Sequence, residues 1–308
     1  MLMGIDIGGT KCAVTVGTAE GKIVDKKKFP TTHVEETLKR IQAAVGEFRD
    51  RYEIEACGIS CGGPLNEREG IILSPPNLPG WDEIPIVGMM SYELDYIPVT
   101  LRNDANACAM AEWRFGAGQG TENMVFLTFG TGLGAGIIAN GRLLSGTNGN
   151  AGEVGHLRLR KDGPVGYGKR GSFEGFCSGG GLAQLGRMAA DEAKASGTPV
   201  AWDSEKIDVA EMAASARAGD YYAGAVFDIC GEKLGEGLAV LVDLLNPEKI
   251  VIGSIFARCE DLLRPAMEKS LQREALPQAL EVCEVVPAAL GEAIGDMAAL
   301  AVAMEGLK

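Results

Sequence analysis

One arrangement of short strands around a glycine-rich turn occurs twice in this chain. In the first copy, the apolar residues 3–7 predict a strand, and residues 8–11, Gly-Gly-Thr-Lys, predict a turn. Predicted strands at residues 12–16 and 22–24 follow the turn, so this segment is expected to form a three-strand meander.

The second copy lies about one domain length further along the chain. A strand is predicted at residues 125–129, a Gly/Thr turn at residues 130–134 and a further strand at residues 135–139. The Asn-Gly pair at residues 140–141 is a strong hairpin signal and leads into residues 142–144. Because a repeated unit indicates similar domains, we expect two domains that face each other across a central cleft.

Helices and strands alternate along the rest of the chain. The predicted helices cover residues 35–51, 105–115, 222–245 and 294–304, and the further predicted strands cover residues 56–60 and 250–252. Strands followed by helices in both halves favour an α/β fold, with antiparallel meanders on otherwise parallel sheets.

The net charge of −13 over 308 residues argues against a nucleic-acid partner, which is held by an excess of Lys and Arg. The apolar runs are too short to span a bilayer, and the first residues lack the features of a signal peptide. We therefore expect a cytoplasmic protein without membrane contact. The eight cysteines are scattered, which favours buried free thiols over disulfides or a cysteine-rich metal site.

The first glycine-rich turn has the composition of a phosphate-binding loop. Its two glycines let backbone N–H groups approach phosphate oxygens, and Thr10 and Lys11 add donors. Asp6, just before the turn, could hold Mg²⁺ directly or through water. The GxxxxGK[ST] spacing of a Walker loop is absent. Taken alone, the segment leaves an ordinary hairpin turn with a capping Asp open.

The second turn begins a run of four alternating glycines at residues 130–136. It lacks the GxGxxG spacing of a dinucleotide site, so a Rossmann-type interpretation is rejected. A Gly/Thr turn that faces the first one would bind the same phosphate chain from the other side. A glycine-rich strand without a ligand is the alternative, but two matching turns favour phosphate binding.

Asp104 lies where a predicted strand gives way to a helix. This position suits an N-cap, the more frequent role. It also suits a general base, because the helix N-terminus keeps the carboxylate ionised while it accepts a hydroxyl proton.

Glu153 and His156 are three residues apart within a glycine-rich segment. Their spacing suits hydrogen bonds to vicinal hydroxyls of a sugar. A helical Glu-x-x-His metal site would need a second copy, which is absent from the sequence. A solvent-facing pair without a ligand stays open.

Ser60 matches the GxSxG motif, and Asp104 and His156 follow it in the chain order of α/β-hydrolases. That motif requires a helix directly after the serine. The residues at positions 62–64 are Gly-Gly-Pro, which do not begin a helix, so a serine hydrolase is rejected.

Five motifs follow one another along the chain: IDIGGTK, PNLPGW, NDANA, LTFGTGLGAGI and AGEVGH. Their order closely resembles the ROK family of sugar kinases and repressors, in its glucokinase-like branch, over essentially the whole chain. ROK repressors carry a winged helix-turn-helix ahead of the first phosphate motif. Here that motif starts at Gly4, so we expect a kinase.

The resemblance implies a two-domain actin-like ATPase (ribonuclease H-like) fold with a central cleft. It implies a small N-terminal domain at residues 1–115, a large domain at residues 116–290, and a C-terminal helix at residues 291–308 that returns to the small domain. A homodimer is the usual expectation for such enzymes.

The resemblance also implies a role for each matching residue. Asp104 would be the base that deprotonates the 6-hydroxyl of a hexose. The expected sugar contacts are Asn77, Asn103, Asp104, Glu153, His156 and Glu174. The expected nucleotide contacts are Gly8, Gly9, Thr10, Lys11, Thr128, Gly130, Thr131, Gly132 and Gly253. Asp6 would serve Mg²⁺.

The expected activity is that of an ATP-dependent hexokinase, with glucose as the first candidate substrate. N-acetylmannosamine, N-acetylglucosamine, fructose and allose stay open, because they differ by one hydroxyl or an acetamido group. A non-catalytic sugar sensor with the same fold and a kinase that uses polyphosphate are further alternatives.

The chain departs from the family at a cysteine motif that, in many members, binds structural Zn²⁺ together with the histidine. The matching positions are Val165, Tyr167 and Ser172, so we expect no structural zinc and a His156 that serves the sugar alone. Ser254 stands where the family usually has a second glycine, on the expected adenine side of the nucleotide site.

Overall fold

Strands and helices are interspersed along the described residues. The structure is a computed structural model that describes residues 1–307. The strands are β1 (Leu2–Ile7), β2 (Lys11–Gly17), β3 (Ile23–Pro30), β4 (Ala56–Cys61), β5 (Leu65–Asn66), β6 (Ile71–Ile72), β7 (Val99–Asn103), β8 (Met124–Phe129), β9 (Leu133–Ala139), β10 (Arg142–Leu143), β11 (Val165–Gly166), β12 (Lys169–Arg170), β13 (Lys249–Ile252) and β14 (Glu284–Pro287). The helices are α1 (Val34–Arg51), α2 (Ile86–Glu93), α3 (Asp104–Phe115), α4 (Phe173–Phe176), α5 (Gly179–Ala195), α6 (Val209–Arg217), α7 (Tyr221–Leu245), α8 (Ile255–Glu274), α9 (Pro277–Leu280) and α10 (Ile294–Ala303).

The chain divides into two compact units. The first unit contains Met1–Glu122, Gly136–Ala151 and the residues from Ala289 onward. The second unit contains Asn123–Ala135 and Gly152–Ala288. Strands and helices are present in both units, which agrees with the predicted α/β class.

The first unit is built on a five-stranded sheet with the order β3-β2-β1-β4-β7. β1, β2 and β3 are antiparallel neighbours, which confirms the first predicted meander, whereas β4 and β7 continue the sheet in parallel. The core between this sheet and α1 is apolar. It contains Ile5, Val14, Ile41, Phe48 and Ile59, all fully buried.

Helix α10 lies against the same sheet, in contact with β1, β4 and α3. Gly58 of β4 permits this packing, because a Cβ there would lie 2.2 Å from the carbonyl oxygen of Ala299 and from the backbone nitrogen of Ala303. Gly4 of β1 is also close, since its Cβ would lie 2.8 Å from that of Ala299. The absence of side chains at these glycines therefore allows backbone-to-backbone contact between helix and sheet.

The second five-stranded sheet has the order β10-β9-β8-β13-β14, which confirms the second predicted meander. Within the second unit, β13 pairs in parallel with both β8 and β14. The helices α7 and α8 of this unit pack along one another. α7 ends as predicted at Asn246, whose left-handed backbone (φ 44°, ψ 56°) turns the chain toward β13.

Ser60 lies inside β4 and is only 2% exposed. In the sheet it is paired with Asp6 of β1 and Arg102 of β7. A serine enclosed between two strands cannot present its hydroxyl at a strand-to-helix turn, which confirms that the GxSxG match is not a nucleophile.

The expectation of free thiols is confirmed for all eight cysteines. Six of them are buried, and Cys108 and Cys283 are partly buried. Among residues 1–307, none of the helices has the length and apolar character that a membrane span requires.

We expect Gly58→Ala to lower the free energy of unfolding by about 2 kcal/mol or more, because the added methyl group would meet backbone atoms of α10 that cannot move separately. Gly46→Ala is the matched control, since a Cβ at this position of α1 would have no atom within 4 Å. That change should raise the free energy of unfolding by about 0.5–1 kcal/mol through helix propensity. Urea denaturation measures both, and equal effects would contradict the close packing of α10.

Candidate active site

The turn between β1 and β2 presents backbone and side-chain donors on the first unit. Inside the turn, the Gly8 N–H donates to the carbonyl oxygen of Lys11 at 3.1 Å. The Thr31 hydroxyl donates to the Gly8 carbonyl at 2.6 Å, which ties the turn to the end of β3. Gly9 and Thr10 are exposed together with Lys11. A fixed, exposed turn of this composition can bind phosphate oxygens.

Asn77 and Asp104 come together beside Gly62, just after β4. A Cβ at Gly62 would lie 3.6 Å from both amide atoms of Asn77 and 3.8 Å from Oδ2 of Asp104. The first turn reaches the same place, because a Cβ at Gly9 would lie 2.5 Å from the carbonyl oxygen of Asn77. The structure therefore brings together the turn, Asn77 and Asp104.

The start of α3 differs from the sequence prediction. The N-cap is Asn103, whose side-chain oxygen accepts a hydrogen bond from the Ala105 N–H at 3.0 Å. Asp104 is the first residue of the helix, and its Oδ1 accepts from the same N–H at 2.7 Å. The capping assignment for Asp104 was wrong by one residue, because Asn103 has the extended backbone that a cap requires. Asp104 is exposed at a helix N-terminus, which favours a negative charge.

Asp6 is a largely buried carboxyl group with two other carboxyl groups nearby. Burial, followed by the negative charges of Asp296 and Asp104, raises the pKa of Asp6 to about 6, against the opposing effect of Lys11 and Lys26. Asp296 itself forms an ion pair with Lys26. The ionised form of Asp6 is thus disfavoured by its surroundings. A cation beside the carboxylate would stabilise this ionised form.

These surroundings fit the expected magnesium ion. Mg²⁺ is usually held by one or two carboxylates together with waters and substrate phosphates. Asp6 can supply such a carboxylate next to the first turn. Within residues 1–307, no group of three or more His, Cys, Asp or Glu side chains could hold a metal ion by itself. A magnesium ion at Asp6 would therefore need phosphate oxygens as further ligands.

The turn between β8 and β9 belongs to the second unit and is held by two internal hydrogen bonds. The Gly130 N–H donates to the carbonyl oxygen of Gly132 at 3.1 Å. The hydroxyl oxygen of Thr128 accepts from the Gly134 N–H at 3.0 Å. Of the expected nucleotide contacts, Thr128 thus braces the turn, while Thr131 is exposed at its tip.

Glu174 supports this turn from α4. Its Oε2 accepts a hydrogen bond from the Leu133 N–H at 3.0 Å, and a Cβ at Gly132 would lie 2.8 Å from the same oxygen. The segment with the other two expected sugar contacts of this unit, Glu153 and His156, is adjacent, because a Cβ at Gly155 would lie 3.2 Å from that of Glu174. In this segment, Glu153 is exposed and His156 is partly buried. The structure therefore places the segment that contains Glu153 and His156 beside Glu174, at the start of β9.

A cavity of about 820 Å³ in the second unit opens beside this turn. Its lining contains Gly130, Thr131, Gly179, Gly180, Lys206, Arg217, Ser254 and Arg258. The N-terminus of α5 contributes two of these glycines, and the Gly179 N–H donates to the Gly130 carbonyl at 2.8 Å. The start of a helix of 17 residues is a favourable position for a phosphate group.

Most of this lining lies outside the residues predicted from the sequence. Gly253 was predicted but is buried, and Ser254 lines the cavity in its place. A local signal for the start of α5 does exist, since Ser178 precedes three glycines. Ser178 is the N-cap and accepts from the Gly181 N–H at 2.9 Å. Lys206, Arg217 and Arg258 carry no local signal, because they reach the cavity only through the tertiary fold.

The positions of the family's zinc cysteines have other roles here. Ser172 is buried and caps α4, since its hydroxyl oxygen accepts from the Gly175 N–H at 3.0 Å. Val165 and Tyr167 are exposed. The Tyr167 ring contacts His156 edge-on, with ring centroids 5.3 Å apart and planes at 84°. The absence of zinc stays a prediction, and these contacts hold the segment without a metal ligand.

The fold is that of the two-domain actin-like ATPases. The family model described as the ROK family matches residues 2–305, and the chain belongs to that family. A glucokinase of Halalkalibacterium halodurans is 34% identical over 307 residues, which cover 95% of this chain and 92% of the relative.

Two solved structures extend the comparison. A ROK hexokinase from Thermus thermophilus is similar with a TM-score of 0.83 and 31% identity, covering 99% of this chain and 98% of that one. A ROK family glucokinase from Streptomyces griseus, in complex with glucose and AMPPNP, has a TM-score of 0.78 and 31% identity, covering 99% of each chain.

Ser254 has a backbone conformation that favours glycine, with φ 56° and ψ −111°. Strain of this kind amounts to about 1–3 kcal/mol, so we expect Ser254→Gly to raise the free energy of unfolding by about 1 kcal/mol. The control is Asn246→Gly, where φ 44° and ψ 56° are values that Asn adopts readily, and the change should be small. Urea denaturation compares the two, and a loss of stability in Ser254→Gly would contradict the strain.

The raised pKa of Asp6 predicts a pH dependence of stability. The folded state binds the proton more tightly than the unfolded state, in which the pKa of Asp is about 3.9. The free energy of unfolding should therefore fall between about pH 4 and 6 and stay at the lower level above pH 6. Asp6→Asn lacks this titration. The free energy of unfolding of the variant minus that of the wild type should therefore be about 1 kcal/mol larger at about pH 7 than at about pH 5. Urea titrations measure this difference at each pH. The same difference at both pH values would show that Asp6 titrates normally.

Proposed function

We propose that this ROK-family sugar kinase transfers the γ-phosphate of ATP to the 6-hydroxyl of a hexose, with Asp104 as general base and glucose as the first candidate substrate. The position of Asp104 carries the proposal. It is an exposed carboxylate at the N-terminus of α3, and its Oδ2 faces Gly62 beside Asn77. The complex of the Streptomyces griseus relative with glucose and AMPPNP supports both proposed substrates.

In this proposal, the nucleotide binds in the 820 Å³ cavity of the second unit. Its phosphates would meet the turn at residues 130–132 and the N-terminus of α5, where the helix dipole favours negative charge. The exposed turn at Gly9, Thr10 and Lys11 would supply further donors to the phosphate chain. A magnesium ion held by Asp6 would supply the positive charge that neutralises the transferred phosphoryl group.

The sugar would be bound by Asn77, Asn103 and Asp104 at the end that reacts. Asn103 uses its side-chain oxygen as the cap of α3, which leaves its amide group as a donor for a sugar hydroxyl. Glu153, His156 and Glu174 would contact other hydroxyls. Glu174 already accepts from Leu133 through Oε2, and a carboxylate can accept further hydrogen bonds. Because Glu174 also supports the turn between β8 and β9, a sugar bound to this carboxylate would lie beside the proposed phosphate-binding turn.

The chemical step requires little beyond alignment and proton removal. Phosphoryl transfer is catalysed mainly by positioning and by stabilisation of phosphate charge. Asp104 would accept the hydroxyl proton as the bond to phosphorus forms. The amide and hydroxyl donors around the sugar would fix the direction of attack, which is how a specific hydroxyl is selected.

The first test is ADP release from MgATP by the purified chain across a panel of sugars. The panel contains glucose, fructose, allose, mannose, N-acetylmannosamine and N-acetylglucosamine. Turnover with one of them identifies the substrate, and glucose is expected to give the highest kcat/KM. Sugar binding without turnover, with either ATP or polyphosphate, would instead identify a sensor.

We expect Asp104→Asn to lower kcat by about 10²–10⁴, the usual contribution of general-base catalysis. The variant keeps the shape of the side chain, so sugar binding measured by calorimetry should change far less than kcat. Asp50→Asn is the matched control, because it removes one exposed carboxylate of the same unit at the end of α1. Near-normal turnover in a folded Asp104→Asn protein would mean that another group is the base.

A further inference from the structure

A second cavity, of about 550 Å³, lies within the first unit. Its volume is in the range of small-molecule sites. The lining residues that matter here are Met110, Trp113, Arg114, Arg142, Leu143 and Glu305. None of these is among the residues proposed to contact sugar, nucleotide or magnesium. The function of this cavity is therefore not explained by the kinase reaction.

Two arginines of the lining have no acidic partner. Within residues 1–307, the side chains of Arg114 and Arg142 form neither an ion pair nor a side-chain hydrogen bond. Nε of Arg114 is buried without a hydrogen-bond partner. Acidic residues outnumber basic ones by 42 to 29, so partners are abundant in this chain. The buried, unpartnered Nε of Arg114, with the exposed Arg142 at the same cavity, therefore indicates an anionic ligand.

Trp113 gives the cavity a fixed aromatic wall. Its indole N–H donates to the Thr121 carbonyl at 2.8 Å, which sets the orientation of the ring. The guanidinium of Arg114 stacks on this ring, 4.1 Å from its centroid. Such stacking holds the flexible side chain in place, so less entropy is lost when its N–H groups bind a ligand. Met110 and Leu143 extend the apolar surface of the wall.

This combination defines a chemical class of ligand. A guanidinium binds a carboxylate or a phosphate through paired hydrogen bonds. The apolar and aromatic surface suits a planar or hydrophobic body. The negative charge of Glu305 does not cancel the arginines, because Glu305 is paired with Arg102 at 2.8 Å. The cavity therefore fits a small organic anion with one anionic head and an apolar body.

The cavity is connected to the proposed catalytic residue by a chain of hydrogen bonds within the first unit. Oε2 of Glu305 accepts from Nε of Arg102 at 2.8 Å, and Nη1 of Arg102 donates to Oε2 of Glu67 at 3.0 Å. Oε1 of Glu67 accepts from the Asn103 N–H at 2.8 Å. Asn103 precedes Asp104 and caps α3. A ligand that moves Glu305 would thus change the support of Asp104.

We propose that this cavity is an effector site for a small organic anion, bound by Arg114 and Arg142 against Trp113, and that its ligand acts on Asp104 through Glu305, Arg102 and Glu67. Phosphate and carboxylate heads share the required chemistry. The effect on Asp104 rests on the proposed kinase function, whereas binding at the cavity does not.

The binding test is isothermal titration calorimetry of the full chain with phenyl phosphate and with benzoate, in the presence of AMPPNP and glucose. Phenol lacks the anionic head and inorganic phosphate lacks the apolar body, and both should bind weakly. Arg142→Gln should weaken binding of the preferred anion about tenfold or more. Arg187→Gln removes an exposed arginine of α5 and should leave binding unchanged.

Three binding results would overturn the site. They are absence of binding by both organic anions, equal binding by phenol, and equal losses in Arg142→Gln and Arg187→Gln. A preference for phenyl phosphate over benzoate, or the reverse, decides which head the arginines select. Each result is obtained without any measurement of kinase activity.

The effector role is tested by steady-state kinetics with the anion at saturation. We expect kcat or the KM for the sugar to change about fivefold or more, and this change should be smaller in Glu305→Gln. Binding without any kinetic change would refute the connection to Asp104. If the chain shows no turnover with any sugar, the proposed function has failed, and the calorimetry still decides the binding site.

Discussion

The packing of α10 on the first sheet determines the charge around the proposed catalytic residues of the first unit. Because Gly4 and Gly58 have no side chains, the helix backbone approaches β1 and β4 more closely than any other residue would allow. This approach places the start of the helix against Asp6, since a Cβ at Gly295 would lie 2.8 Å from its Oδ2. The raised pKa of Asp6 follows from burial under this helix and from the nearby charge of Asp296.

The C-terminal end of the same helix leads to a charged cluster beside β7. Glu305 follows α10 and pairs with Arg102, which also pairs with Glu67. These three side chains are largely buried, with 8–22% of each exposed. Removal of Arg102 would leave the carboxylates of Glu67 and Glu305 without their shared partner, which is strongly destabilising. One helix therefore links the carboxylate proposed for magnesium to the hydrogen bonds that support Asn103.

Local sequence signals were sufficient for the elements that carry the chemistry. The first strand was predicted at residues 3–7 and is observed at Leu2–Ile7, because the apolar residues Met3, Ile5 and Ile7 alternate along a segment that a Gly-Gly turn follows. The role of Asn103 was missed, since cap geometry depends on the backbone angles of two adjacent polar residues. The contact of Glu174 with Leu133 joins residues 41 positions apart, and sequence spacing does not report such a contact.

The cavity proposed to bind the nucleotide was likewise only partly predictable from local sequence signals. Its glycines belong to turns and helix starts, whose residue preferences are local and readable. Its cationic lining from Lys206, Arg217 and Arg258 depends on how α6 and α8 pack within the second unit. Arg217 is also engaged by Asp261 at 2.7 Å, so its charge is partly compensated before any ligand arrives. The net charge of −13 therefore says little about phosphate binding, which depends on a few local groups.

The segment that carries zinc cysteines in many relatives shows how hydrogen bonds can replace metal ligands. β11 and β12 form a short antiparallel hairpin, and Gln184 of α5 bonds both backbone groups of Val165 at 2.9 Å. Each such bond contributes about 1 kcal/mol, so the segment depends on several weak contacts instead of one strong site. The imidazole of His156 contacts the ring of Tyr167 edge-on, at one of the positions that carry a zinc cysteine in those relatives. The proposed contact of His156 with a sugar hydroxyl would require no metal.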